Sequence, residues 1–184
     1  MNSTLILFGA SKLWLPPPWT TTDDRVRGGA SQSYLTALPD NCARFHGHLD
    51  TSTLGGAGFA SQFSPLDAAG AGEDERNGVW DLSAYDGIEV VVGKGDGKVY
   101  TLILKDDAPV EKREDEREKA GVNWEVEFDV AVKGGEEKSA EESETTQVWV
   151  PWGDFMATYR GKAKEDAGHI KTGQIRRVGL MMRR

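Results

Sequence analysis

Two histidines and an aspartate recur at every second position within one alternating segment of the chain. If Ala43–Asp50 forms a strand, His46, His48 and Asp50 share one face, because successive side chains of a strand point to opposite faces. Imidazole and carboxylate groups are ligands of transition metals. His169, the remaining histidine, lies in a loop-like stretch, so no further strong ligand accompanies the pattern. We therefore predict a solvated sheet face here, and neither a metal nor a cofactor.

Other motifs that can carry catalysis are weak in this sequence. Gly93–Gly97 lacks the spacing of a phosphate loop, and it lies between Gly87–Val92 and Val99–Lys105, which predicts a β-hairpin. Cys42, the single cysteine, is predicted to be a small buried hydrophobe. The chain holds no G-x-S-x-G motif, and a hydrolase would need paired carboxylates in a cleft. We predict that the protein is not an enzyme.

The most distinctive polar stretch is Trp19–Leu35, in which an Asp-Asp pair is followed by two arginines and two glycines. Adjacent glycines permit positive φ angles and a close approach of another backbone. Such a loop could hold a polar ligand or a partner segment, or its Asp–Arg pairs could serve only to tie the first strands together. The candidate binding residues in it are Asp24, Arg25, Arg27, Gly28, Gly29 and Ser31.

The elements that would position these residues are mostly strands. The 184 residues fit one domain, and the short apolar segments are rich in β-branched and aromatic residues. The predicted strands are Ala43–Asp50, Gly58–Phe63, Gly87–Val92, Val99–Lys105, Asn123–Val132, Gln147–Trp152 and Ile175–Met182. Short helical turns are expected at Leu13–Trp19 and Gly153–Arg160. This pattern predicts an all-β sandwich or barrel.

Two charged tracts interrupt the strands. Asp106–Ala120 is dense in charges of both signs, and Gly134–Thr146 is acidic with serine and threonine. Neither can bury enough apolar surface to offset the entropy of ordering. We predict mobile loops at 106–120 and 134–146, with a docking role for a basic partner as the alternative.

The net charge of −8 argues against nucleic acid and against an anionic membrane surface as partners. No apolar run approaches the roughly 20 residues that a membrane span needs. The first arginine is Arg25, and Pro16–Pro18 would stop a helix, so the sequence does not predict a mitochondrial presequence.

Several segments, taken in order, resemble one known family. They are DDRVRGGASQS (23–33), GFAS (58–61), DLSAYDGIEVVVGKGDGKVYTLIL (81–104), VWVPWGDFMATYRGK (148–162) and IRRVGLMM (175–182). This order resembles complex I intermediate-associated protein 30, the assembly-factor family of mitochondrial NADH:ubiquinone oxidoreductase. The resemblance runs from about Trp19 to the last residue.

The resemblance implies a galactose-binding-like jelly-roll β-sandwich over 19–184. Residues 1–18 are predicted to form an N-terminal strand and a Pro-rich connection within the same single domain. The resemblance also implies a non-catalytic role, in which complex I subunits or assembly intermediates are the protein partners and the location is mitochondrial. Arg160, in the YRGK segment, is expected beside the Trp19–Leu35 loop. Longer relatives carry a further strand after the segment matching 175–182, so an exposed sheet edge is expected there.

The alternative function is a carbohydrate- or small-ligand-binding module. Because no presequence is predicted, a cytoplasmic location is the alternative to a mitochondrial one. Such modules hold sugars against exposed aromatic side chains. The candidates are Trp14, Trp19, Trp80 and Trp152, whereas Trp124 alternates with Val126 and Phe128 and is expected in the core.

Overall fold

The computed structural model of the chain describes residues 4–12, 14, 19–66, 68, 78–106, 114, 119–130 and 145–184. Four 3₁₀ helices accompany the strands, and no α-helix occurs in this part of the chain. The strands are β1 Thr20–Asp23, β2 Gln32–Ala37, β3 Ala43–His48, β4 Phe59–Phe63, β5 Gly87–Val92, β6 Val99–Lys105, β7 Val122–Asp129, β8 Thr146–Pro151, β9 Met156–Tyr159, β10 Lys162–Ala163 and β11 Arg177–Arg183. The predicted all-β sandwich is confirmed.

One layer of the sandwich is an antiparallel sheet of seven strands in the order β1-β4-β11-β6-β7-β9-β10. The last strand, β11, lies inside this sheet, with Leu180 opposite both Gln62 of β4 and Leu102 of β6. The edge strands are therefore β1 and β10. The exposed edge that was expected beside the final strand is not found there, because β11 pairs on both sides.

The other layer consists of two antiparallel pairs, the hairpin β2–β3 and the ribbon β5–β8. The predicted hairpin of β5 with β6 is wrong, since Val90 of β5 pairs with Val148 of β8, and β6 pairs with β7 and β11. The segment Gly93–Gly97 instead crosses between the two layers. A short Gly/Asp connection is compatible with both geometries, so the local pattern could not distinguish them.

The main core lies between the ribbon and the seven-stranded sheet. Leu102, Leu104 and Trp124 are each no more than 5% exposed, and they pack with Val150 of the ribbon and Ile175. Alternating side chains of these strands fill the core, as the period of a half-buried strand requires. The expected core position of Trp124 is confirmed.

The N-terminal segment packs onto the sandwich through aromatic rings. The ring of Phe8 lies 5.2 Å from Trp14, 5.1 Å from Trp19 and 5.6 Å from Trp80, centroid to centroid. Within the described part of 1–18, a turn closed by Lys12 N donating to Gly9 O stands where a strand was expected. The expected Pro-rich connection falls outside the described residues.

The two charged tracts also fall largely outside the described residues. At their borders, Asp106 is buried and accepts a 2.8 Å hydrogen bond from Lys171 N, and Thr146 begins β8. The helical turn expected at Leu13–Trp19 lies mostly outside as well. At Gly153–Arg160, a 3₁₀ helix (Trp152–Asp154) is followed by β9, so only the first part of that expectation is correct.

None of the helices in the described part of the chain has the length and apolar character that a membrane span needs.

Candidate partner-binding site

Asp24 is the buried centre of the Trp19–Leu35 stretch. It opens the 3₁₀ helix Asp24–Arg27, which follows β1 directly, and it is 1% exposed. Its carboxylate accepts hydrogen bonds from Ser31 N (2.9 Å), Ser31 Oγ (2.5 Å) and Phe59 N (3.2 Å). Three donors of this kind compensate the cost of burying the charge. Asp24 therefore ties the turn to the residue before β2 and to the start of β4.

The two glycines after the arginines are required by this arrangement. Gly28 ends the 3₁₀ helix in the left-handed region, at φ 87°. A Cβ atom on Gly29 would lie 2.4 Å from Asp24 Oδ1, closer than real Cβ contacts come. Gly29 is thus the close-approach position that the Gly-Gly pair predicted, but the group that approaches is the chain's own carboxylate.

Arg25 is fixed by its neighbour Asp23. The guanidinium donates to both carboxylate oxygens, with Nε 2.9 Å from Oδ1 and Nη2 2.7 Å from Oδ2. Asp23 is buried, whereas the Arg25 side chain is 49% exposed. The hydrogen bonds that Arg25 donates to Asp23 raise the pKa of Arg25, so the guanidinium stays charged and is held in place.

The outward surface of the turn is formed by three consecutive residues. Arg25 and Arg27 are exposed, and Val26 between them is 53% exposed. The Arg27 guanidinium carbon lies 6.0 Å from the centre of the Phe59 ring, at the limit of a cation–π contact. We call Arg25, Val26 and Arg27 the arginine turn. It presents two guanidinium groups, one of them held by Asp23, and an apolar side chain to solvent.

Arg160 is not placed beside the arginine turn. It lies in the connection between β9 and β10, at φ 53°, with its guanidinium carbon 5.3 Å from the Tyr159 ring centre. The β9–β10 end is one edge of the seven-stranded sheet, and β1, which leads into the arginine turn, is the opposite edge. A shallow, open depression lies at the β9–β10 edge and is lined by Tyr159, Lys162, Ala163, Lys164, Glu165 and Asp166.

His46, His48 and Asp50 do not converge. His46 is stacked on Tyr34 and lies 3.0 Å from Thr36 Oγ1 through Nε2. Asp50 lies beyond the end of β3, is buried, and accepts from Ser52 N and Ser52 Oγ. These hydrogen bonds hold the pKa of Asp50 far below its ordinary value. No group of three potential ligands that could hold a metal occurs in the described part of the chain.

The tryptophans proposed for sugar stacking differ in exposure. Trp80 is buried, and Trp14 and Trp19 are half-buried against Phe8. The Trp152 indole N–H donates to Tyr85 O at 2.6 Å. The tryptophan with the largest exposure among those described is Trp149, 55% exposed on the outer face of the ribbon, which the sequence did not single out.

Cys42 is exposed, so the prediction of a small buried hydrophobe is wrong. It follows the 3₁₀ helix Pro39–Asn41 and precedes β3, in the connection between the two strands of the hairpin. Connections of this kind lie at the surface because their backbone polar groups need solvent.

Sequence reasoning missed the partners that complete the site. Phe59 N is a donor to Asp24, and Asp50 N donates to Ser31 Oγ at 2.9 Å. Phe59 and Asp50 are distant in the chain from Asp24 and Ser31. They donate through backbone N–H groups, which every residue except proline has, so the residue type does not reveal them. The one signal in the sequence was the glycine at position 58, beside Phe59. A Cβ atom there would lie 2.2 Å from Asp50 O, so the glycine marks the close approach of these two segments.

Comparison with known proteins decides the family. Residues 8–184 match the family described as complex I intermediate-associated protein 30. The chain belongs to the complex I intermediate-associated protein 30 family. The resemblance carried by the ordered motifs is thereby confirmed, and the arginine turn lies within the matched residues.

A relative of known sequence is similar along nearly the whole chain. It is the uncharacterized protein C9E9.15 of Schizosaccharomyces pombe, which is 34% identical over 183 residues. The alignment covers 97% of this chain and 74% of that protein. The similarity therefore extends over the sandwich and the segment before it.

Proposed function

We propose that this protein is a non-catalytic binding protein that holds subunits or intermediates of respiratory complex I during assembly. Membership of the complex I intermediate-associated protein 30 family over residues 8–184 supports a role related to that assembly. The same membership supports a mitochondrial site of action. The proposed partners are proteins, and the proposed contact surface is the arginine turn.

The observation that carries the proposal is that buried aspartates hold the turn while its arginines remain exposed. Asp23 and Asp24 are 4% and 1% exposed and fix the backbone from below, whereas the arginine turn faces solvent. A surface that is already ordered loses little conformational freedom on association. Arginine is enriched at protein interfaces, where its guanidinium forms charge-assisted hydrogen bonds.

Affinity purification of the tagged chain from its native host tests the proposal. We expect complex I subunits to be recovered with the wild-type protein and lost with Arg25→Glu/Arg27→Glu. The matched control is Lys94→Glu/Lys162→Glu, which makes the same change of charge at two exposed positions away from the turn. The control should recover the same subunits as the wild type.

Circular dichroism establishes that each variant is folded before the purifications are compared. Arg27→Glu alone keeps the test valid if the double variant unfolds, because Arg27 lies outside the buried Asp24 network. A folded double variant that recovers complex I subunits at the wild-type level contradicts the assignment of the turn. Absence of complex I subunits from the wild-type purification contradicts the function itself.

A further inference from the structure

The outer side of the β2–β3 hairpin carries aromatic and basic side chains in register. Three cross-strand pairs lie on this side, Gln32 with His48, Tyr34 with His46, and Thr36 with Arg44. Tyr34 is 46% exposed, and Arg44 and His48 are also exposed. Ser33 is buried on the opposite side, where its carbonyl accepts from Gln62 Nε2 at 2.7 Å. We call Gln32, Tyr34, Thr36, Arg44, His46 and His48 the hairpin face.

The middle of the hairpin face is ordered by its own contacts. The rings of Tyr34 and His46 are stacked, with centroids 5.5 Å apart and an interplanar angle of 28°. Thr36 Oγ1 holds the same imidazole at a distance of 3.0 Å from Nε2. The aromatic centre is therefore set in place before any partner arrives.

The exposed charged groups of the hairpin face and of the adjoining arginine turn are arginines. Ser31, the residue before β2, donates its N–H to Asp24 at 2.9 Å, so the arginine turn adjoins the Gln32 end of the hairpin face. The neighbouring carboxylates Asp23 and Asp50 are buried, and Asp40 lies beyond the last pair, in the connection between the strands. Arg44, opposite Thr36, and Arg25, beyond the Gln32 end and ion-paired with the buried Asp23, thus lie toward opposite ends of the Tyr34–His46 pair.

We propose that the hairpin face binds an extended, carboxylate-rich segment of a partner protein. The proposal rests on the proposed function, because it extends the site around Arg25 and names the chemistry of the partner. Successive pairs of the hairpin face are two residues apart along the strand, about 7 Å. An extended peptide returns its side chains to one face at the same repeat. Acidic residues at alternating positions would reach Arg25 and Arg44, with an intervening side chain over Tyr34 and His46.

Titration of the full-length protein with synthetic peptides tests this inference. The probe is a nine-residue peptide with glutamate at every second position. One control peptide has glutamine in place of each glutamate, and another has the same glutamates placed consecutively. We expect the alternating peptide to shift the amide resonances of β2 and β3 and to bind more tightly than either control. Added salt should weaken this binding, as it does for exposed charge pairs.

Two variants with the same change of charge localise the binding. Arg44→Glu should weaken the alternating peptide by roughly fivefold or more, in line with the size of exposed ion-pair interactions. Lys94→Glu, in the crossing segment, should leave the affinity unchanged. Equal effects of the two variants, or shifts confined to other strands, would overturn the inference.

The outcome is separable from that of the affinity purification. Peptide binding that depends on Arg44, without complex I subunits in the purification, retains this inference and rejects the proposed function. Recovery of complex I subunits by the Arg44→Glu variant, together with no peptide binding, rejects this inference and retains the function. Binding of phosphatidylserine vesicles or duplex DNA in place of the peptide also rejects it.

Discussion

Asp24 connects three parts of the chain from a position with almost no solvent contact. Its carboxylate receives donors from Ser31 and from Phe59, which lie 7 and 35 residues further along the chain. The adjacent Asp23 instead neutralises Arg25. The sequence predicted this pair as possible ligand groups or as structural ties. The hydrogen bonds favour the second role for both carboxylates and leave the arginines as the exposed groups.

Gly29→Ala tests the close approach to Asp24. The added methyl group meets the Asp24 carboxylate, and moving that carboxylate disturbs its hydrogen bonds to Ser31 and Phe59. We expect a loss of about 2 to 3 kcal/mol in the free energy of unfolding, measured by denaturant titration. Gly93→Ala is the control, because a Cβ atom there meets no atom within 4 Å. A loss no larger than that of Gly93→Ala would show that the carboxylate is not held as described.

The side chain of Gln62 links strands of the two layers. From β4, its Nε2 donates to Thr21 Oγ1 at 2.8 Å in β1 and to Ser33 O at 2.7 Å in β2. The hairpin therefore depends on a buried side chain of the neighbouring layer for its position. A buried carbonyl left without its donor costs free energy.

Gln62→Leu should loosen the hairpin selectively. The leucine side chain has a similar volume but cannot donate to Ser33 O. We expect amide hydrogen exchange to accelerate in β2 and β3, and to change little in β6 and β7, which pair within the large sheet. A uniform acceleration in all strands would mean that the hairpin is not an element joined through Gln62.

A tyrosine of β6, Tyr100, is hydrogen-bonded to the crossing segment Gly93–Gly97. Tyr100 Oη donates to Asp96 Oδ2 at 3.0 Å, and Lys98 pairs with the same carboxylate oxygen. Burial of the phenol, together with the negative charge of Asp96, raises the pKa of Tyr100 to about 12. The protonated phenol is thus favoured in the folded state.

The stability contributed by Tyr100 should be complete below pH about 10, the ordinary pKa of tyrosine, and should be lost as pH rises through 12. Ultraviolet titration of tyrosinate should show a component near pH 12. Tyr100→Phe should remove this component, and Tyr159→Phe should leave it in place. Persistence of the component in Tyr100→Phe would contradict the assignment.

Strands with a clear alternation could be predicted from the sequence, and their pairing could not. Trp124, Val126 and Phe128 mark β7 because every second side chain enters the core. The partners of β11 come from β4 and β6, which lie more than 70 residues away, so their register depends on packing across the whole sandwich. The sequence predicts no strand at β2, because the alternation there is formed largely by serine, glutamine and threonine. The hairpin face could not be predicted from the sequence for the same reason.

In the whole molecule, the main core and the proposed binding surface lie in different parts of the sandwich. The large sheet, with the ribbon packed across it, forms the main core, while the hairpin and the arginine turn lie toward the β1 edge with their charged groups outward. Arg160 and the depression around it lie at the β10 edge. A partner that contacts the first surface is therefore not expected to contact Arg160 at the same time.

The family membership gives this surface a biological setting. The complex I intermediate-associated protein 30 match includes both the arginine turn and the hairpin. Transient holding of a subunit, as proposed, would be served by exposed ion pairs, because each contributes little affinity and releases readily.

The most direct test of the central claim is the amount of assembled complex I, measured by native gel electrophoresis in cells of the native host that lack this protein. We predict a loss of the complete complex and an accumulation of smaller intermediates. Expression of the wild-type chain should restore assembly, and expression of Arg25→Glu/Arg27→Glu should not. Complex I at its normal level in the absence of the protein would contradict the claim.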